Sequence, residues 1–424
     1  MMLFALAVFA VVLFVFAVDL VHRTPAALAG GILLVMVGAI GQEEAIEAVH
    51  WETLGLLVGM MILVGILKDS GVFGYLAIKS AQWAGGRPGL VLIYLAGITA
   101  VLSAFLDNVT TVLLMFPVTL VIARILEEDP IPFLIVEVLA SNIGGTATLV
   151  GDPPNIIIGT VVEELTFMDF IVNLAPPIVV ILLVTLGLVW LVHGRKLHTS
   201  EEDRKGIMAL DAAEEIEDRK LLVRAGAVCG ATVIGFFLQQ VTGLNPAIVA
   251  LAGAAVAMLI CGPEVESVLH EVEWPTILFF VGLFVMVGAL ESTGFIDAVA
   301  HSLASASDSL AGTAMIVMWG SAFASGIVDN IPFTATMIPV VEGLAEARGY
   351  DAATTEPLWW SLSLGACLGG NFTLIGASAN LVVAGLVARE GMTTFTFLRF
   401  MLWGFPVTLV ALAISSAYIL IFQL

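Results

Sequence analysis

Basic residues are scarce in this chain. Only 15 Lys and Arg stand against 36 Asp and Glu in 424 residues, five of the 15 are Lys, and the formal net charge is −21. A nucleic-acid backbone would find no cationic footprint here, which excludes nucleic acid as a partner. An acidic, Lys-poor surface suits a protein working in high salt, where charge is screened. Charge of either sign is thin: 12% of residues are charged and 60% are apolar, a balance that excludes an ordinary soluble domain. Cysteine is nearly absent as well. Cys229, Cys261 and Cys367 each sit in an apolar run and read as small buried hydrophobes, not as a disulfide framework. The acids are accompanied by no metal-spaced His cluster and no nucleophile–base pair, so the reading is of a non-enzyme with no resident cofactor.

What the chain has in abundance is long apolar runs, and its mean hydropathy is +1.07. Runs near 2–21, 25–41, 52–68, 170–192, 221–241, 245–261, 276–291 and 400–422 are of the order of the ~20 residues that cross a hydrocarbon core as helix. Ten-residue alternating segments, which a transmembrane barrel would need, are missing. The expected fold is therefore all-α and polytopic, with the lipid bilayer as solvent and the cell membrane as location. The first run has no basic flank before it and no small-residue cleavage site after it, so it reads as a retained helix. The one long hydrophilic stretch, 194–220, carries with Arg224 seven cations: Arg195, Lys196, Arg204, Lys205, Arg219, Lys220 and Arg224. The positive-inside rule places it in the cytoplasm, with Arg23, Lys68, Lys79, Arg87, Arg124, Arg389 and Arg399 on the same side, Arg348 opposite, and both termini outside.

The two halves match in order. Trp51, Gly59, Gly65 and Gly71 recur as Trp274, Gly282, Gly288 and Gly294 at an offset of 223. Asp107-Asn108 and Pro117 recur as Asp329-Asn330 and Pro339 at 222, and Gly144, Thr148, Gly151 and Asn155 as Gly369, Thr373, Gly376 and Asn380 at 225. The expected organisation is repeat one over 1–193, an acidic cytoplasmic linker over 194–220, and repeat two over 221–424. Each repeat would hold about five crossings and one re-entrant hairpin. An odd number of crossings inverts the second copy, the arrangement of secondary transporters that bind substrate and coupling ion near the midplane at discontinuous helices.

The hairpins are expected over 89–126, entered from the cytoplasm, and over 310–345, entered from outside. Broken helices are expected over 131–163 and 358–389, interrupted at Gly144-Gly145 and Gly151-Asp152-Pro153-Pro154-Asn155, and again at Gly369-Gly370 and Gly376. A lone Asp at that depth costs about 2.5–3.5 kcal/mol on insertion scales and persists only with a partner. No Lys or Arg lies beside either tip in sequence, so the partner is sought in a cation, a proton or backbone donors. Sodium favours oxygen ligands. Ser103, Asp107, Asn108, Gly144 and Thr148 would form one cage, and Ser325, Asp329, Asn330, Gly369 and Thr373 its mirror. Thr110, Asn142, Asn155 and Asn380 complete the candidate set. Na⁺ is placed at Asp107 with Asn108 and at Asp329 with Asn330. Glu137 and Asp152 have no counterpart, since 362 is Leu and 377 is Ala. Glu137 is a proton-coupling candidate and Asp152 an ion-binding one. The plainer alternatives are that Asp107 and Asp329 only cap the second limbs, that Glu137 is a structural hydrogen-bond partner, and that Asp152 caps the helix after Pro153-Pro154.

"LDNVTTVLLMFPVT" with "EVLASNIGGTATLVGDPPNIIIG" resembles the ion transporter superfamily, in its arsenical-pump (ArsB) and melanosomal P-protein branch with citrate-transporter-like domains. NhaD antiporters and divalent-anion:sodium symporters are related. The resemblance spans essentially the whole chain. It implies a scaffold domain, a transport domain of two hairpins and two broken helices, elevator-type movement, and a homodimer. Sodium-coupled dicarboxylate relatives carry Ser-Asn-Thr at each tip, where this chain has Asp107-Asn108-Val109-Thr110 and Asp329-Asn330-Ile331-Pro332. The added negative charge turns the expectation toward Na⁺- or H⁺-coupled cation/proton exchange. Anion or arsenite transport and a passive ion channel are the alternatives.

Overall fold

The computed structural model describes residues 1–17 and 21–424. The first expected apolar run, 2–21, falls partly on residues 18–20, outside the described residues. Every described regular element is helical. Nine principal helices make up the first half: α1 (Met2–Ala17), α2 (Arg23–Met36), α3 (Trp51–Lys68), α4 (Val72–Trp83), α5 (Pro88–Ser103), α6 (Asn108–Ile125), α7 (Pro130–Gly145), α8 (Pro153–Val161) and α9 (Phe167–Val192). The second half runs α10 (Arg219–Phe237), α11 (Pro246–Cys261), α12 (Trp274–Ser292), α13 (Phe295–Ala306), α14 (Leu310–Val328), α15 (Asn330–Arg348), α16 (Ala352–Gly369), α17 (Ser378–Arg389) and α18 (Phe397–Tyr418). Among the described residues, seven helices are long and apolar enough to cross a membrane, and α1, α2, α5, α7, α11 and α17 are shorter apolar ones.

Local chemistry sets the helix starts. Proline opens α5, α7, α8 and α11, where its missing N–H costs nothing and its φ suits the first turn. Asp129 and Asp351 accept the N–H of Ile131 and Thr354 at 3.0 and 2.9 Å, capping α7 and α16. Gly71 and Gly294 enter α4 and α13 at φ +77° and +78°, a left-handed turn that glycine adopts without strain.

Close backbone crossings hold each half to the other. A Cβ on Gly59 would stand 2.7 Å from the Ala250 carbonyl carbon, and one on Gly282 would stand 2.5 Å from that of Ala27. The tight pairs α3 with α11 and α12 with α2 follow, each through a glycine, as small residues permit between helices in lipid. A second set packs α5 on α7 and α14 on α16.

Helix ends sort onto two faces. Lys68 pairs with Glu271, Arg124 with Glu390 and Arg399 with Asp129, at 2.7, 3.0 and 2.7 Å. The polar segment lies across the same face: Arg204 Nε donates to Gly85 O at 3.2 Å and His198 N to Glu128 Oε1 at 3.1 Å. A separate cavity of about 760 Å³, where α8 and α15 end and α9 and α16 begin, is lined by the carboxylates of Glu163, Glu164, Asp169, Glu342, Asp351 and Glu356.

Candidate functional site

Both hairpin tips reach one buried cluster. α5 and α6 meet at Asp107, and α14 and α15 meet at Asp329. Each Asp does cap its second limb: Asp107 Oδ1 accepts from Thr110 N at 2.9 Å and Asp329 Oδ1 from Ile331 N at 3.0 Å. Thr110 Oγ1 also donates to Asp107. The Asn behind each Asp points inward. Asn108 and Asn330 are 3% and 2% exposed, and both donate through Nδ2 to Asp152 Oδ1 at 3.2 Å.

Asp152 is fully buried. It occupies the N-cap position of α8 but makes no side-chain cap bond, so the capping role is replaced by contact with both tips. Its Oδ2 has no hydrogen-bond partner. Deep burial of a carboxylate oxygen without a donor costs free energy unless a proton or cation fills the gap.

An amide network ties the helix breaks together. Asn142 Oδ1 accepts from Asn108 Nδ2 at 3.0 Å, while its Nδ2 donates to Asn371 Oδ1 at 2.8 Å and Asn380 Oδ1 at 3.0 Å. Asn155 Nδ2 donates to the carbonyls of Thr146 and Thr148 at 3.0 and 2.9 Å, and Asn380 Nδ2 to those of Gly370 and Thr373 at 2.8 and 3.0 Å. Both amides satisfy carbonyls freed where the helix stops. Asn155 Oδ1 in turn accepts from Ser363 Oγ at 2.6 Å and lies 3.6 Å from Cys367 Sγ, so Cys367 is the buried thiol its sequence context suggests.

Other candidates fasten the hairpins. α7 ends at Gly145 and α16 at Gly369, so the helices stop at the two glycine pairs, as expected. Glycine there has a second reason: a Cβ at Gly144 would collide with Ala100 O and one at Gly369 with Ala322 O, so glycine admits the hairpin backbone. Thr148 Oγ1 donates to Ala104 O and Thr373 Oγ1 to Gly326 O. Ser103 Oγ lies 3.2 Å from Ser141 Oγ, and Ser325 Oγ donates to Ala366 O at 2.6 Å. Glu137 is apart from the cluster, 2% exposed, with Oε1 accepting from Thr119 Oγ1 at 2.7 Å.

The expectation that neither tip Asp has a basic partner is corrected for Asp329. Arg23 at the start of α2 donates to Ser378 Oγ and stands 3.8 Å from Asp329 Oδ2, with Phe279 beneath its guanidinium at 5.3 Å. It comes from 306 positions away, and no local pattern announces the pairing. Glu273, Thr276, Ser378 and Asn371 are further residues brought to the cluster from outside the tip and Gly-Asp-Pro-Pro-Asn segments. Arg23, Asp329 and Ser378 also line a cavity of about 450 Å³ with apolar walls.

Apolar helices enclosing two hairpin tips, two helix breaks and one shared polar cluster define a multi-pass membrane transporter scaffold. Comparison with known proteins takes this further: a family model described as "Citrate transporter" matches residues 11–365, and the chain belongs to that family. An uncharacterized transporter of Mycobacterium tuberculosis is 43% identical over 425 residues, covering 98% of this chain and 97% of that one. The human P protein is 35% identical over 496 residues, covering 98% of this chain and 58% of its own length, which bears out the resemblance to the P-protein branch. Among solved structures, the YdaH transporter of Alcanivorax borkumensis, described as having an unusual topology, superposes with a TM-score of 0.56 at 16% identity, over 88% of this chain and 86% of that one. At that identity the likeness speaks for the fold alone.

Proposed function

We propose that this transporter is a secondary active carrier coupled to Na⁺ or H⁺, working by cation/proton exchange. The observation that carries the reading is Asp152: a fully buried carboxylate, held by amides from both hairpin tips, with one oxygen unpartnered. Such a group is neutralised by what it binds, and a carrier in which it can be loaded from either side couples that binding to transport. Na⁺ sits at Asp107 with Asn108. At Asp329 with Asn330 the protein's own Arg23 takes the place of a second ion in this conformation, and Glu137 provides a separate proton site. The matching contacts of the two halves support an inverted repeat, with repeat one over 1–193 and repeat two over 221–424, and elevator-type movement of the hairpin and broken-helix group. The basic face carrying 194–220 is cytoplasmic, the acidic face and both termini are outside, the location is the cell membrane, and the assembly is a homodimer. In proteoliposomes, an imposed Na⁺ gradient drives proton movement that Asp152→Asn abolishes; flux unchanged in that variant would sink the proposal.

A second reading is favoured by Arg23 and Ser378 on the wall of the 450 Å³ cavity: a small anion bound by the guanidinium, hydroxyl and start of α17. Its test is counterflow with citrate and with arsenite, which accumulates label only if the solute is carried.

A further inference from the structure

Between the hairpin tips and the start of α12 lies a small cavity of about 20 Å³. That is room for one water-sized occupant, which needs roughly 10–15 Å³ on this measure. Asp107, Asn108 and Asn330 face it from the tips, Glu273 from the N-cap and Thr276 from the first turn of α12, and Arg23 from α2.

The chemistry of the walls is unbalanced. Asn108 and Asn330 spend their Nδ2 groups on Asn142 and Asp152. Their amide oxygens accept no hydrogen bond from the described residues, although both residues are more than nine-tenths buried. An amide oxygen left without a donor beside a cavity is a ready ligand for a hard cation. Two carboxylates add to the demand. Asp107 has no basic residue within ion-pair distance among the described residues, and Glu273 Oε2 accepts only the Thr276 hydroxyl, at 3.0 Å. Arg23 is the sole cation on the wall; its guanidinium is engaged with Ser378 and Asp329 and also donates a long 3.4 Å bond to Thr276 Oγ1, which a bound cation would replace.

We propose that this cavity is a site for one small monovalent cation, Na⁺ by its all-oxygen ligand set, and that Glu273 is a ligand that the hairpin motifs do not include. A hard ion takes carboxylate, amide and hydroxyl oxygens together, and the low count of carboxylates beside a nearby guanidinium suits one positive charge, not two. The proposal rests on the cation-coupled reading above and deepens it. The ligands come from two bodies. Asp107, Asn108 and Asn330 belong to the hairpins, while Glu273 and Thr276 belong to α12, which packs on α2. The bound ion therefore clasps the hairpin group to the α2–α12 pair, and any sliding of one past the other opens the cage.

The test is Na⁺ titration of the full-length transporter in proteoliposomes, with ²²Na⁺ binding to the detergent-purified protein as the second readout. Glu273→Gln raises the half-saturating Na⁺ concentration at least tenfold, Thr276→Val raises it severalfold, and Glu273→Asp restores part of the loss. Elution and thermal unfolding of each variant show that the fold is kept, and Thr276→Val serves alone if Glu273→Gln fails to fold. Unchanged Na⁺ affinity in folded Glu273→Gln and Thr276→Val overturns the site while leaving the coupled reading intact. No Na⁺ binding or dependence in the unaltered protein overturns both.

Discussion

The two hairpin tips carry the same Asp-Asn pair under different conditions of backbone and charge. Asp107 has φ −62° and ψ 152°, ordinary extended backbone for an N-cap. Asp329 has φ +86° and ψ 139°, a region that a residue with a side chain enters at a cost of about 1–3 kcal/mol. Asp329 is also 3.8 Å from Arg23, whereas Asp107 has no such neighbour among the described residues. The lesson is that a doubled sequence need not give a doubled site. One tip is neutralised by the protein itself and held in a strained turn; the other is relaxed and short of positive charge. Asp152 widens the contrast, because its equivalent position is Ala377.

The contrast can be broken most strongly at Asp152. Asp152→Asn keeps the volume and the contact with the tip amides but removes the charge, and the Na⁺-driven proton flux falls by more than about a hundredfold, measured in proteoliposomes with a pH dye. Paired glycine substitutions test whether the halves are held alike. Gly144→Ala and Gly369→Ala each force a methyl onto a backbone carbonyl, and each lowers stability by at least about 1–3 kcal/mol, read as a lower thermal unfolding midpoint in detergent; a neutral result at either would show that the hairpin there is not tightly seated. Arg23→Gln sharpens the electrostatic difference. The pair is partly exposed, with 27% and 16% of the two side chains accessible, so screening limits its worth. Removing the built-in cation lets Na⁺ bind at the second tip more readily, and half-saturating Na⁺ falls about three- to tenfold, or roughly 0.7–1.4 kcal/mol. The smallest effect belongs to Arg124→Ala. Its partner Glu390 and Arg124 itself are 43% and 67% accessible, and loss of such a surface pair changes stability by no more than about 1 kcal/mol, with transport unaltered.

Much of the fold was legible because its signals are local or repeated. Apolar runs, prolines at helix starts and the ordered glycine pairs gave the helices and the correspondence of the halves. Gly59 and Gly282 could be paired by spacing alone, and the structure supplies the reason, a backbone crossing against Ala250 and Ala27. The tip aspartates read as caps for the same reason: a cap bonds two or three residues ahead. What could not be read was any contact between distant segments. Arg23 meets Ser378 across 355 positions, and nothing near either residue encodes the other. The glycine pairs at the helix ends were legible only in part. Glycine in a helix costs up to about 1 kcal/mol relative to alanine, which marks the stops, but the close approach of a neighbouring backbone at Gly144 and Gly369 is not written along the chain. The two partners of Asp152 and the cavity between Asp107 and Glu273 depend on how the hairpins dock, which spacing along the chain does not express.

One amide has a mechanical meaning. Asn142 bonds Asn108 on one hairpin and both Asn371 and Asn380 in the opposite break, so one side chain is a shared axle for parts contributed by both halves. Parts mounted on one axle cannot be turned separately without breaking it. Any displacement of one break thus drags the other with it, or snaps the axle.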